Sequence, residues 1–538
     1  MSNDTEIRKI EKIVDAYYKT SSFIQLYKNN MEKALLDILR TFEHTQLINS
    51  CMAAMEIGED TVNAELTGHQ LQDALTMSIN WIIGDCVASG RLDDLSFDDA
   101  NYYSSFEFLT AYALPYSKIT DAYISYSRKA MSGTVDRKTV VFDSTPEQLM
   151  AFVQDTGENF KKDLNGFNKE VKELLCSPRF LEESNKMLSS VQIIDGMLQY
   201  DIPDTMKNVY RQAALAHWDI TSEVPQNWGF DQFSLEEFKK CWVELYVICS
   251  SRMFVITKNI LDADFAQTHC VIDCSYSWLR NALITNTEVP VDRIEAILSF
   301  LSFDKSLNNT DIMYQPLIRL GERVLIAPSL IIASNPERNM LAVIQKKKDS
   351  TYSIEVNGLE KVMRNKLEAS LPQDVLRKSD CNIGKENPDI DLCVYDPKSN
   401  SVLMAEMKWL IATDSSKEVY SRQMDIEHGC HQVELEMNYA MKDRIGFVKK
   451  IFGIDILDEP ELFYCVVAKH NISSTNRNVP VISLNRMEEL LQRYPYDTVL
   501  HKIRLFDYYR PLPDNVQVAK EHVNYAGYSF YISALAFG

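Results

Sequence analysis

The strongest constraint on the fold is a change in hydrophobic period along the chain. From Glu6 to about Phe300, apolar residues recur every three or four positions. Ile7, Ile10, Ile13, Val14 and Tyr17 make one such set, Leu35, Ile38, Leu39 and Phe42 a second, and Leu71, Leu75, Ile79, Ile82 and Ile83 a third. Phe160, Leu164, Phe167, Val171 and Leu174 repeat it, as does the stretch from Phe238 to Ile256. This spacing places each set on one helical stripe, so helix is expected to follow helix. Breaks fall at Gly58, Gly90, Pro115, Gly133, Pro178, Pro203 and Pro225. Between Tyr314 and Ile332 the texture changes, and two short apolar runs around Gly321-Glu322 predict a β-hairpin. From Val356 onward the order reads helix, strands, helix, strands, which is α/β organisation. The expected fold class is therefore multidomain, a mainly α-helical N-terminal region followed by an α/β domain. The expected divisions are a helical region over 1–310, a hairpin-containing connector over 311–344, the α/β domain over 345–500 and an apolar, aromatic tail over 501–538. That tail is expected to pack back on a domain or to form an interface.

Composition narrows the class. With 538 residues, 46% hydrophobic and 25% charged, the chain is an ordinary globular one and not a disordered or disulfide-stapled one. The apolar runs over 77–87 and 462–468 fall short of a membrane span. The first residues lack the basic start and apolar core of a secretory signal, and the 11 cysteines have no regular spacing. A cytoplasmic protein with reduced thiols is expected, without a membrane partner. The net charge of −20 opposes constitutive polyanion binding. It is uneven, roughly −17 over 1–340 and about −4 over 341–500, so the α/β part is the better nucleic-acid candidate. Its basic residues cluster at Lys346, Lys347 and Lys348 and at Lys442, Arg444, Lys449 and Lys450. Lys442 and Arg444 are the substrate-binding candidates.

Residues 387–409 carry the chemistry. Asp389, Asp391, Cys393 and Tyr395 alternate with Ile390, Leu392 and Val394. Asp396-Pro397 opens a turn, and Val402 to Trp409 returns as a second strand on which Glu406 and Lys408 share one face. Charges on half-buried strands cost several kcal/mol unless compensated or used. Two converging carboxylates attract a hard divalent cation such as Mg2+, and an adjacent lysine can act on a water and steady charge on a phosphate. Metal-assisted phosphodiester hydrolysis is the expected chemistry.

At these residues the chain resembles the PD-(D/E)XK nuclease superfamily, with its restriction-endonuclease-like fold. Pro388-Asp389 or Ile390-Asp391 stands as the first element and Glu406-Met407-Lys408 as the second. The resemblance spans about 140 residues, from about 354 to 491, and includes a preceding helix with Glu360 near its start. A later helix carries His431, Gln432 and Tyr439, followed by strands over 462–469 and 479–484. It implies that Asp391, or alternatively Asp389, holds Mg2+ or Mn2+ with Glu406. It also implies that Lys408 assists the nucleophilic water, Glu360 adds a metal ligand and Gln432 supports catalysis. Several relatives carry a tyrosine four residues after the glutamine, where this chain has Glu436. The implied substrate is nucleic acid, DNA ahead of RNA, cut by an endo- or exonuclease. The rival expectation is a catalytically inactive scaffold of the same fold.

Other constellations are weaker. His269, Cys270 and Cys274, and His428, Cys430 and His431, lack a second ligand pair at zinc-finger spacing and are expected in core or on surface. The helical region shows no catalytic motif, and Tyr102, Tyr103, Tyr123, Tyr126, Trp218 and Trp228 are expected chiefly in its core. Its acidity suggests a regulatory or sensor role, with a protein partner or a second copy as its counterpart. By analogy of architecture alone, such a chain suits antiviral defence against phage.

Overall fold

The computed structural model describes residues 3–55, 61–90, 97–144, 177–194, 196–225, 227–307, 311–347, 351–384, 389–413, 416–470, 478–508 and 516–537. Helices dominate the first half and mixed sheets gather in the second. Helix α1 (Asn3–Tyr17) buries Ile7, Ile10 and Val14 of the stripe its spacing calls for, whereas Ile13 is exposed. Helices Met31–Met55 and Thr61–Asp85 pack Leu35, Ile38, Leu39 and Phe42 against Leu71, Leu75, Ile79 and Ile82 in one core. The stripe at 160–174, with Gly58, lies outside the described residues. Among the described residues no helix is long and apolar enough to cross a membrane.

The helical expectation fails at residues 132–143, which form strands β1 (Ser132–Asp136) and β2 (Thr139–Asp143). The β-branched residues Thr134, Val135, Thr139, Val140 and Val141 favour extended backbone, and Arg137, at φ 55°, makes the turn. Helix α2 (Leu235–Lys258) starts on a capping box of Ser234 and Glu237 and is buried nearly all round. Cys241, Leu245 and Cys249 join one core, and Val247, Val255 and Ile256 join the other, so this helix is the partition between them. Trp218, Trp228 and Tyr123 are buried as expected, whereas Tyr103 is exposed.

Strands β3 (Ile272–Ser275), β4 (Leu317–Leu320) and β5 (Arg323–Ile326) form a three-stranded antiparallel sheet. The β4–β5 hairpin is the one expected at Gly321, whose φ of +63° a β-carbon would strain. Helix α3 (Tyr352–Ser370) leads to β6 (Leu376–Cys381), β7 (Ile390–Asp396) and β8 (Ser401–Lys408). Helix α4 (Ser416–Lys442) follows, then β9 (Glu461–Ala468) and β10 (Val481–Ser483). The sheet order is β10-β9-β8-β7-β6, antiparallel from β6 to β8 and parallel from β8 to β10. Both faces are covered. Leu392, Val394, Leu403, Ala405 and Met407 pack with Leu359, Met363 and Leu367 of α3, while Cys393, Tyr395, Val402 and Met404 pack beneath Ala440 and the following helix Arg444–Phe452.

Two features bear on the divisions expected from sequence. The core containing the inner face of this sheet runs from Ala213 to Tyr508 without a break at 345. Strands β11 (Val516–Tyr525) and β12 (Tyr528–Phe537) return to the first helices, β12 pairing in parallel with β2. Val523, Tyr525, Phe530 and Ile532 are buried there with Ile7, Val140 and Phe142.

Candidate functional site

The site arises where a hairpin opens. Strands β7 and β8 are in antiparallel register from Asp396↔Ser401 to Leu392↔Ala405, and the ladder ends there. Met407 and Trp409 then present backbone N–H groups toward the side that β7 has left, and unpaired buried donors are costly. Two carboxylates take them: Asp391 Oδ2 accepts from Met407 N at 2.8 Å, and Glu360 Oε1 of α3 accepts from Trp409 N at 3.2 Å. The other edge of β8 stays paired with β9 through Lys408↔Ala468. Arg364 of α3 donates to the Asp391 carbonyl at 3.3 Å and to Asp380 Oδ2 at 3.0 Å, tying the start of β7 to the helix.

Glu406 and Lys408 lie on the α4 face of β8, and Lys408 Nζ donates to Glu406 Oε1 at 2.6 Å. Gly429 lets α4 approach, since a β-carbon there would lie 3.0 Å from Lys408 Cε. Gln432 and Glu436 stand three and seven residues further on, on the same helical face. Glu436 falls between two apolar clusters under α4: Ile426, Cys430 and Val433 with Val466 and Ala468 on one side, Ala440 with Cys393 and Met404 on the other. The site is thus a polar island in a buried layer. Glu406 is 3% exposed and Glu436 fully buried.

The electrostatics follow from four carboxylates grouped around one ammonium. Burial and the Asp391 charge push Glu406 up to about 7 against the pull of Lys408. Burial, then the charges of Glu406 and Asp391, push Glu436 up to about 8. Burial also raises Glu360, opposed by Lys408 and the Trp409 N–H. Burial pulls the Lys408 ammonium down, but Glu406, Glu360 and Asp391 outweigh it and hold its pKa above the ordinary value. Lys408 therefore stands protonated. Burial raises Asp425, opposed by Arg422 and then by the same ammonium.

Of the residues singled out in the sequence, Glu360, Asp391, Glu406 and Lys408 come together, and Gln432 stands on the α4 face that meets Lys408 at Gly429. Asp389 is exposed and stays outside this network, while Pro388 lies outside the described residues. Glu360 is mid-helix and not near a helix start, because α3 begins at Tyr352. Lys442 is exposed six residues beyond Glu436, about 9 Å along the helix axis, and Arg444 turns to Met441 Sδ at 3.1 Å and Glu459 at 3.9 Å. Neither reaches the carboxylates. Tyr439 accepts from Lys450 Nζ at 2.8 Å, away from the centre. Lys346 lies over the Tyr314 ring and Lys347 over Phe300, and Lys348 is outside the described residues. Cys270 and Cys430 are core thiols, and His431 is exposed. Sequence reasoning missed Gly429 and the part played by Glu436. The legible sign was an acidic residue on the apolar stripe Ile426, Cys430, Val433, Ala440.

Among the described residues, no three or more His, Cys, Asp or Glu side chains are gathered closely enough to hold a metal ion by themselves. The donor chemistry nevertheless fits a hard cation. Glu406 Oε2, Gln432 Oε1 and both Glu436 carboxylate oxygens are buried acceptors without a protein partner, and all are oxygens. No protein-family model, curated protein or solved structure matches the chain.

Proposed function

We propose that the chain is a metal-dependent nuclease of the PD-(D/E)XK type, acting on nucleic acid with DNA ahead of RNA. The observation that carries this reading is the contact of the Lys408 ammonium with Glu406, beside Asp391, where β7 and β8 part. The order helix, antiparallel strands, helix, parallel strands supports a restriction-endonuclease-like fold. Asp391 and Glu406 would hold Mg2+ or Mn2+, with Glu360 beside them. A cation so bound supplies Lewis-acid stabilisation of a phosphate and lowers the pKa of a water. The protein's own groups do the positioning. The Met407 N–H fixes one Asp391 oxygen and leaves the other for binding. Lys408, held protonated by its acidic neighbours, donates a hydrogen bond to an attacking water or to the phosphate oxygen that gains charge. Gln432 offers its amide to the same space.

Control by the acidic helical region, passed on through the connector over 311–344, is part of the reading. Glu418, in the first turn of α4, accepts from Tyr314 Oη at 2.8 Å and pairs with Arg338, both from the segment preceding the sheet. Movement in that segment would reach the helix that carries Gln432 and Glu436. The placement in antiphage defence rests on architecture alone. The second reading is an inactive scaffold, favoured by the absence of a ready three-ligand group among the described residues. Incubation of the full chain with end-labelled single- and double-stranded DNA and RNA, in Mg2+, Mn2+ or EDTA, separates the two. EDTA-sensitive cutting supports the nuclease, and metal-independent binding without cutting supports the scaffold.

A further inference from the structure

Glu436 has no place in the expected motif, yet it is the most completely buried acid of the centre. Neither of its carboxylate oxygens has a hydrogen-bond partner among the described protein groups. Ionised, it is a buried charge beside Glu406 and Asp391. Neutral, it carries an O–H with no protein acceptor, so neither form is satisfied by the protein. Glu406 Oε2, on the facing strand, and Gln432 Oε1, one turn back on the helix, are acceptors in the same condition. Four buried oxygens that no protein donor satisfies describe a place for a cation.

We propose that Glu436 is a cation ligand contributed by α4, so that one divalent ion is shared between Glu436 on the helix and Glu406 on the sheet. The ion fastens α4 onto the sheet as well as serving the chemistry. Gln432 Oε1 stands beside them, and Asp391 remains the ligand from β7. Mg2+ and Mn2+ suit such a site, because a hard ion of this kind is commonly held by one or two carboxylates and keeps waters in its remaining positions. Charge agrees: Glu360, Asp391, Glu406 and Glu436 are set around the Lys408 ammonium, an acidic excess that a divalent ion reduces. The inference rests on the metal-dependent reading of the site and adds to it a ligand from the helix.

The test is Mn2+ titration of the full chain by calorimetry, with melting and hydrogen exchange in EDTA and in Mn2+, for wild type, Glu436→Gln and Glu406→Gln. In EDTA, Glu436→Gln is expected to melt at or above wild type, because it removes an unsatisfied acid from among like charges. Its Mn2+ affinity is expected to fall at least about ten-fold, since losing even an outer partner of a metal ligand costs that much. Mn2+ should slow amide exchange along α4 in wild type and not in Glu436→Gln. Wild-type Mn2+ affinity in Glu436→Gln, with binding lost in Glu406→Gln, would overturn the proposal and leave the metal site standing on the sheet. Glu436→Gln melting well below wild type in EDTA would also overturn it, by showing that the acid serves the fold. No Mn2+ binding by wild type would overturn both the proposal and the metal-dependent reading.

Discussion

Asp391 has a structural and a chemical task, and substitutions separate them. Its Oδ2 caps the Met407 N–H where the ladder ends. Asp391→Asn keeps an acceptor there and should cost little stability, whereas Asp391→Ala leaves a buried N–H unpaired and should cost about 1–3 kcal/mol. Both should lose metal-dependent cleavage, as urea denaturation beside a cleavage assay will show. A second buried acid, away from the site, gives a pH test. Glu337 accepts from the Glu223 and Val224 N–H groups and from Ser222 Oγ, and burial pushes it up to about 7. An acid raised on folding contributes stability that is full below its unfolded pKa of about 4.5 and lost as pH rises through about 7. Wild type should therefore lose on the order of 2–3 kcal/mol more than Glu337→Gln between pH 5 and pH 8, and equal losses in urea midpoints would refute this. At this scale the hairpin acids were legible because strand alternation assigns Asp391, Glu406 and Lys408 to one face. Glu436 was not, because helical periodicity marks a buried position without saying what lies opposite it.

At the scale of elements, the approach of α4 to β8 sets the geometry of the centre. Gly429→Ala gains up to about 1 kcal/mol of helix propensity but sets a methyl group 3.0 Å from Lys408 Cε. The lysine is anchored by Glu406 and must shift. The expected result is unchanged or slightly raised melting with cleavage reduced about 10- to 100-fold, and parallel losses of stability and activity would contradict it. The β7–β8 hairpin was legible from its alternation and its Asp396 turn, where Lys398 N donates to Oδ1 at 2.9 Å. Strands β1 and β2 were not, because they lie within a stretch dominated by the helical period, and the further neighbour of β2, β12, lies almost 400 residues away, a pairing that no local pattern records. Strand β6 escaped notice because it is half exposed and carries Arg377, Lys378 and Asp380 in place of an apolar run.

Across the whole molecule, the core that supports the sheet is made by both halves. Leu359, Met363, Leu392 and Leu403 share a cluster with Trp218, Trp242 and Ile297, so residues before 345 cover the inner face of the α/β part. A fragment of residues 345–538 should therefore lack cooperative urea unfolding and bind hydrophobic dyes, and a sharp transition near that of the full chain would refute this. The change of period disclosed the two textures of the chain, but it could not disclose that they share one core. The acidity of the first 340 residues leaves the approach of a polyanion to this centre dependent on how that region is placed. The most direct measurement is cleavage of labelled DNA and RNA in Mg2+ or Mn2+ by the full chain beside Glu406→Ala and Lys408→Ala. Cutting by wild type that EDTA abolishes, and that falls at least about 100-fold in each variant, is the predicted result. Cutting that survives in both variants, or none by wild type on any substrate, would contradict a phosphodiesterase built on Asp391, Glu406 and Lys408.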